Sequence, residues 1–159
     1  MNIINILKNS FQLPHKQALF RLNRMNMRDT LVYINLLFFI LFLPDAVNFV
    51  LNIIDANGSI PDVVYIQVIF LYPALTIFIT TISVTGLSGI AYLMRTWLSR
   101  KLAFHQLWKM TAFALTVPII VYLMFKLINQ DSLILVSLAI WLWFIYKMIT
   151  VYPKKAQPQ

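Results

Sequence analysis

From Val63 to Met94 the chain runs for 32 residues without an Asp, Glu, Lys, Arg or His. A helix of that length in water needs a polar face, whereas a bilayer demands its absence: about 20 apolar residues cross a hydrocarbon core of about 30 Å. Three further apolar stretches flank it, so the candidate spans are residues 31–54, 63–94, 108–127 and 133–151. Only 11% of residues are charged and the mean hydropathy is +0.77, against roughly 25% charged in soluble domains. The expected fold is all-α, an integral membrane four-helix bundle in one domain. As one α-helix, residues 63–94 would extend about 48 Å at 1.5 Å per residue, which predicts tilt or a break at Pro73.

Residues 1–29 form a lead before the first span. Ile3, Ile4, Leu7 and Phe11 recur near helical spacing, and Lys16 to Leu22 mixes apolar and basic residues after Pro14. Such amphipathic segments predict short interfacial helices on the inner leaflet. Met1 to Asn9 lacks the basic, apolar and small-residue regions of a cleavable signal, so the first span is expected to act as its own insertion signal. Residues 152–159 read as a loosely ordered tail.

Basic residues set the orientation. Lys8, Lys16, Arg21, Arg24 and Arg28 precede the first span; Arg95, Arg100, Lys101 and Lys109 lie between the second and third; Lys147, Lys154 and Lys155 sit at the far end. Of 13 Lys and Arg, only Lys126 falls on the other side, with Asp55, Asp62 and Asp131. Lys and Arg asymmetry in short loops places both termini in the cytoplasm. The +8 net charge then forms a collar for anionic lipid headgroups, made of Arg21, Arg24, Arg28, Arg95, Arg100, Lys101, Lys109, Lys154 and Lys155. It does not read as a nucleic-acid surface, because the charges flank spans and no binding motif accompanies them. Tyr33, Tyr92, Trp97, Trp108 and Tyr152 fall near the same ends, at the headgroup level that amphipathic rings prefer.

Ionisable groups inside a span are functional candidates. Asp45 follows Pro44, and Asn48, Asn52 and Asp55 follow it within about 80° on a helical wheel. This polar stripe is either a hydrated groove facing the bundle or a helix surface that has left the membrane near Pro44. Lys126 and Lys147 fit snorkelling side chains; a pairing of Lys126 with Asp131 or Asp45 is the alternative. In the second span Thr81, Thr85 and Gly89 repeat every four residues, as helix-packing faces do. Pro44, Pro73 and Pro118 put one proline in each of the first three spans.

Catalytic constellations are sparse. The chain has no Glu, no Cys and three Gly, which excludes thiol chemistry, disulfides and a Gly-rich phosphate cradle. His15 and His105 have no carboxylate at metal-ligand spacing, so no metal and no cofactor are expected.

The run Arg100-Lys101-Leu102-Ala103-Phe104-His105-Gln106-Leu107-Trp108-Lys109, continuing through Met110 to Pro118, joins a basic loop to an aromatic-x-Gln-Leu-Trp-Lys pattern and then a small and aromatic stretch ending in proline. It resembles a Firmicute family of multipass membrane proteins of unknown function, some labelled MalA-like maltodextrin-utilisation proteins, and more distantly the Yip-type proteins. Phe11 to Tyr33, with Phe20-Arg21, is similar to the lead of that family. The resemblance implies a sizeable extracytoplasmic segment after the first span, where this chain offers only about Asp55 to Asp62. It carries over no catalytic or ligand residue. Together these features lead us to expect a non-enzymatic accessory protein, with a membrane-protein partner or a homo-oligomeric form, near sugar uptake or the envelope. The alternative is a small transporter, channel or transporter subunit using Asp45.

Overall fold

The computed structural model describes residues 3–126 and 134–154, apart from the side chain of Asn57. Its helices are α1 (Ile3–Phe11), α2 (Lys16–Asn23), α3 (Met27–Asn57), α4 (Asp62–Ile66), α5 (Tyr72–Trp97), α6 (Phe104–Ala114), α7 (Thr116–Lys126) and α8 (Ile134–Thr150). A π-helical turn, Gln67–Leu71, joins α4 to α5. Among the described residues there is no strand, only an isolated antiparallel bridge between Arg100 and Lys154. The fold is all-α.

Three helical stretches are long and apolar enough to cross a membrane: Met27–Ala56, Asp62–Trp97 and Phe104–Lys126. The fourth, Ile134–Thr150, is apolar but shorter, and residues 127–133 before it lie outside the described ones. The described structure therefore has three such helices where the sequence leads one to expect four.

Local chemistry places the breaks. Gly58 ends α3 at φ 69°, the left-handed conformation that glycine adopts without a Cβ penalty, and its N–H donates to the Ile54 carbonyl at 2.8 Å. Pro73 stands in the first turn of α5, where a missing N–H costs least. The expected break near it takes the form of the π-helical turn just before. Leu115 interrupts the third stretch between α6 and α7, three residues before Pro118. Pro44 lies inside α3, which continues through it.

The core lies at the basic end. Leu19 and Leu22 of α2, Ile34 of α3, Leu107 and Phe113 of α6, and Ile145 and Met148 of α8 are all buried in it. The N-terminal lead contributes to this core as well as to the surface. Ile6 of α1 and Leu13 are buried there, while Ile4 and Phe11 are 76% and 51% exposed. The bundle, then, is the neighbour of one face of the lead, and only the other face is free to meet an interface. Tyr33 is also internal: it packs on Phe113 and shares a 2.8 Å hydrogen bond with the Thr116 hydroxyl.

Within the chain α5 packs through Thr76, Thr80, Val84, Ser88 and Ala91. Thr81 and Thr85 are exposed and Gly89 is half-buried, which corrects the intramolecular face expected from the sequence by about one position. Thr76, Thr80 and Ser88 return their hydroxyls to the carbonyls of Tyr72, Thr76 and Val84 at 2.9, 2.7 and 2.7 Å. This satisfies each donor inside its own helix and lets small side chains meet the neighbouring backbone.

Burial is uneven. In the most apolar 18-residue window, 67% of residues are buried for Phe104–Lys126, against 11% for Met27–Ala56 and 17% for Asp62–Trp97. The central helix is sheathed by protein, while α3 and α5 turn most of their apolar surface outward. Past Asp45, α3 continues for twelve residues to Asn57, about 18 Å at 1.5 Å per residue. The chain returns through α4 and the π-helical turn, so residues 46–71 form a helical hairpin that outreaches the end of α7.

Candidate functional site: polar ties at both ends of the central helix

The hairpin's base is a polar tie among three helices. Lys126, the last residue of α7, brings its Nζ to 2.5 Å from Asp45 Oδ1 on α3. Tyr72, the first residue of α5, donates its hydroxyl to the Phe42 carbonyl, one turn before Asp45. The side chains of Lys126 and Asp45 are 22% and 49% exposed, so the pair sits at a rim and not in a sealed interior.

The structure thus realises the Lys126–Asp45 pairing over plain snorkelling. Asp131 lies outside the described residues. Asn48, Asn52 and Asp55 do not join the tie; all three are exposed along the outer part of α3. The polar stripe is therefore split, Asp45 serving the bundle and the other three facing its surroundings.

The second tie is at the opposite end of the same helical stretch. Lys109 is only 9% exposed, and its Nζ donates to the carbonyls of Asn23 at 2.6 Å and Met25 at 3.1 Å. These carbonyls close α2 and lead into α3, where unpaired helix C-terminal oxygens favour a cation. Lys109 therefore does not belong to the lipid-facing collar. Its ammonium is committed to the lead, and no sequence signal marks a lysine whose partners are backbone oxygens. Beside it Trp108 is buried and donates its Nε1–H to Thr85 Oγ1 at 3.2 Å, whereas the Thr81 hydroxyl returns to the Ile77 carbonyl of its own helix at 2.9 Å.

The rest of the collar divides in two. Arg21, Arg24, Arg28, Lys101 and Lys154 are exposed, with Arg28 3.9 Å from Asp29. Arg95 and Arg100 are half-buried and bonded: Arg95 Nε donates to the Arg100 carbonyl at 3.1 Å and its guanidinium lies 5.0 Å from the Tyr92 ring centroid, while Arg100 Nη1 donates to the Tyr152 carbonyl. Asn23 Nδ2 donates to the Tyr152 hydroxyl at 2.7 Å. Burial pushes the Tyr152 phenol above its ordinary value, with the Asn23 bond opposing. Lys155 lies outside the described residues. Of the two tryptophans of α8, Trp141 is buried and Trp143 is 51% exposed. Among the described residues no group of three or more His, Asp or Glu stands close enough to hold a metal ion.

Long apolar helices, ionic and carbonyl ties at the ends of a protein-sheathed central helix, and basic residues gathered at one end describe an all-α protein with three helices long and apolar enough to cross a membrane. Residues 48–152 match the family described as Protein of unknown function (DUF1189), and the chain belongs to that family. The match contains the Arg100-to-Pro118 run and the two tie lysines, Lys109 and Lys126, and begins after their partners Asn23, Met25 and Asp45. No curated protein and no solved structure is detectably similar to the chain.

Proposed function

We propose that this chain is a non-enzymatic, multipass protein of the bacterial cytoplasmic membrane, both termini inside, that acts as an interaction partner of other membrane components. The observation that carries this reading is the uneven burial. Protein covers Phe104–Lys126, but α3 and α5 leave a broad apolar surface to be met by lipid or by another protein. Thr81 and Gly89 lie on that uncovered side, so the small-residue repeat is available to a second chain. The resemblance to MalA-like proteins, and distantly to Yip-type ones, sets the partnership near sugar uptake or the envelope, and the exposed basic collar holds the inner end against anionic lipids.

The test is mild-detergent purification of the tagged protein from its host, alongside Gly89→Leu. A Cβ at Gly89 meets nothing within 4 Å, so the expected outcome is a folded variant, checked by its elution as a single species beside the wild type. A stoichiometric membrane partner lost specifically in Gly89→Leu supports the reading. A clean protein with no partner in either case overturns it.

The Asp45–Lys126 tie favours a second reading, a transporter or transport subunit. It requires Asp45→Asn to abolish uptake of labelled maltodextrin into proteoliposomes while the protein stays inserted. Unchanged flux, or none in the wild type, removes it.

A further inference from the structure

The chain leaves α5 through a tight reversal. Ser99 takes φ 49°, its N–H donates to the Thr96 carbonyl and the Arg100 N–H to the Arg95 carbonyl, both at 3.1 Å. This is a Schellman closure with serine where glycine is favoured, and a non-glycine residue in that conformation is strained. The reversal brings Arg100 opposite Lys154 in an antiparallel bridge, reinforced by the Lys101 N–H donating to the Pro153 carbonyl at 3.2 Å.

Side chains directly opposite in such a bridge share one face, with Cβ atoms about 4.5–5.5 Å apart, and like charges there repel. Yet the chain holds two cations in register. Among the described residues the ion pairs are Arg28–Asp29 and Lys126–Asp45, and neither reaches this place. Arg100 Nε is buried without a hydrogen-bond partner, although its Nη1 is fixed by the Tyr152 carbonyl. Around the pair lies a groove of about 640 Å³, lined also by Trp97, Ser99, Tyr146 and Thr150. Trp97 is 86% exposed and Tyr146 47%, amphipathic rings of the type that settle at headgroup level.

We infer that Arg100 and Lys154 form a discrete phosphate-binding site, filled by the headgroup of an anionic phospholipid. A phosphate bridging the two cations relieves their repulsion, accepting from the part of the guanidinium that Tyr152 does not hold and from a point-charge ammonium at once. The lipid source rests on the membrane arrangement proposed above; the phosphate chemistry does not. This site differs from the general collar in being built by a bridge, a strained turn and a fixed arginine.

The test uses the full chain in an uncharged detergent, where neither insertion nor orientation matters. Native mass spectrometry follows titration with phosphatidylglycerol, with phosphatidylcholine and, in a separate arm, with inorganic phosphate. One phosphatidylglycerol should bind in preference to phosphatidylcholine, weakened at least ten-fold by Arg100→Gln and by Lys154→Gln and less than two-fold by Lys101→Gln. Arg100 also holds the Tyr152 carbonyl, so the exposed Lys154 variant keeps the test decisive should Arg100→Gln unfold. Lys154-dependent binding of inorganic phosphate with no lipid preference would keep the phosphate site and assign a soluble source. Equal losses for Lys101→Gln and Lys154→Gln, or no preference for either anion, would overturn the site.

Discussion

Replacing Lys109 with methionine removes a buried ammonium while keeping most of its volume. Two carbonyl oxygens, those of Asn23 and Met25, lose their charged donor. A hydrogen bond to a charged group contributes about 1.5–3 kcal/mol, and a buried acceptor left unpaired costs about 1–3 kcal/mol. Relief from burying the charge offsets part of this, leaving a net loss of about 2–3 kcal/mol. At about 2–4 °C per kcal/mol for a chain of this size, the thermal midpoint in detergent should fall by about 4–12 °C. The loss should be local first. Lys109 is what fastens the end of α2 to α6, so trypsin should cut the mutant faster at Lys16, Arg21 and Arg24, all exposed and all in the lead. Lys109→Arg should restore much of the protection, since a guanidinium can reach the same oxygens, and Lys101→Met should change neither readout. A Lys109→Met protein with the midpoint and cleavage rate of Lys101→Met would refute the idea that this ammonium holds the lead to the bundle.

Three further outcomes follow from the geometry. Ser99→Gly should raise the thermal midpoint, worth about 1 kcal/mol, because it removes the left-handed penalty at the end of α5. Thr80→Leu should cost about 1–3 kcal/mol by overpacking the buried face of α5, whereas Gly89→Leu should leave the midpoint of the purified protein unchanged; equal losses would return the packing face to the Thr81, Thr85, Gly89 series. Tyr152, whose phenol is raised above its ordinary value by burial, favours its neutral form in the fold. Its contribution is then constant below about pH 10 and lost as pH rises above that, so alkaline titration should destabilise the wild type more steeply than Tyr152→Phe.

How far the sequence could be read depends on where each partner lies. The uncharged run from Val63 to Met94 identifies a long apolar helix by itself. Composition is enough for such features because the solvent, not a particular neighbour, selects them. The packing face of α5 is a different matter. A helix that is apolar nearly all round has little to distinguish Thr80 and Ser88 from Thr81 and Thr85, and only the positions of α3 and α6 decide between them. Lys109 is the hardest case: its sign and neighbourhood suggest a collar residue, and its partners are main-chain oxygens that no residue type reveals. Asp45 and Lys126 stand between these extremes. The sequence makes a pairing of Lys126 with Asp45 or Asp131 conceivable, and only the fold shows its ammonium bonded to Asp45.

The two lysine ties also fix a length. Lys109 and Lys126 are 17 residues apart, about 26 Å at 1.5 Å per residue, close to the thickness of a hydrocarbon core. If the polar ties mark the two rims, the hairpin of residues 46–71 stands outside the membrane, and its apolar side is a protein-facing surface more than a lipid-facing one. The chain contains no cysteine, so single cysteines report cleanly on this. Ile66 and Ile82 are alike in side chain and in exposure, 63% and 55%; only their distance from the Asp45 rim differs, Ile82 lying ten residues beyond Tyr72 towards the basic end. In intact cells a membrane-impermeant maleimide should label Ile66→Cys and spare Ile82→Cys. Labelling of neither would put the hairpin in lipid and the Asp45–Lys126 pair well below the surface. An ionic pair at that depth is expensive to keep without a task, and the transport reading would then have the stronger claim.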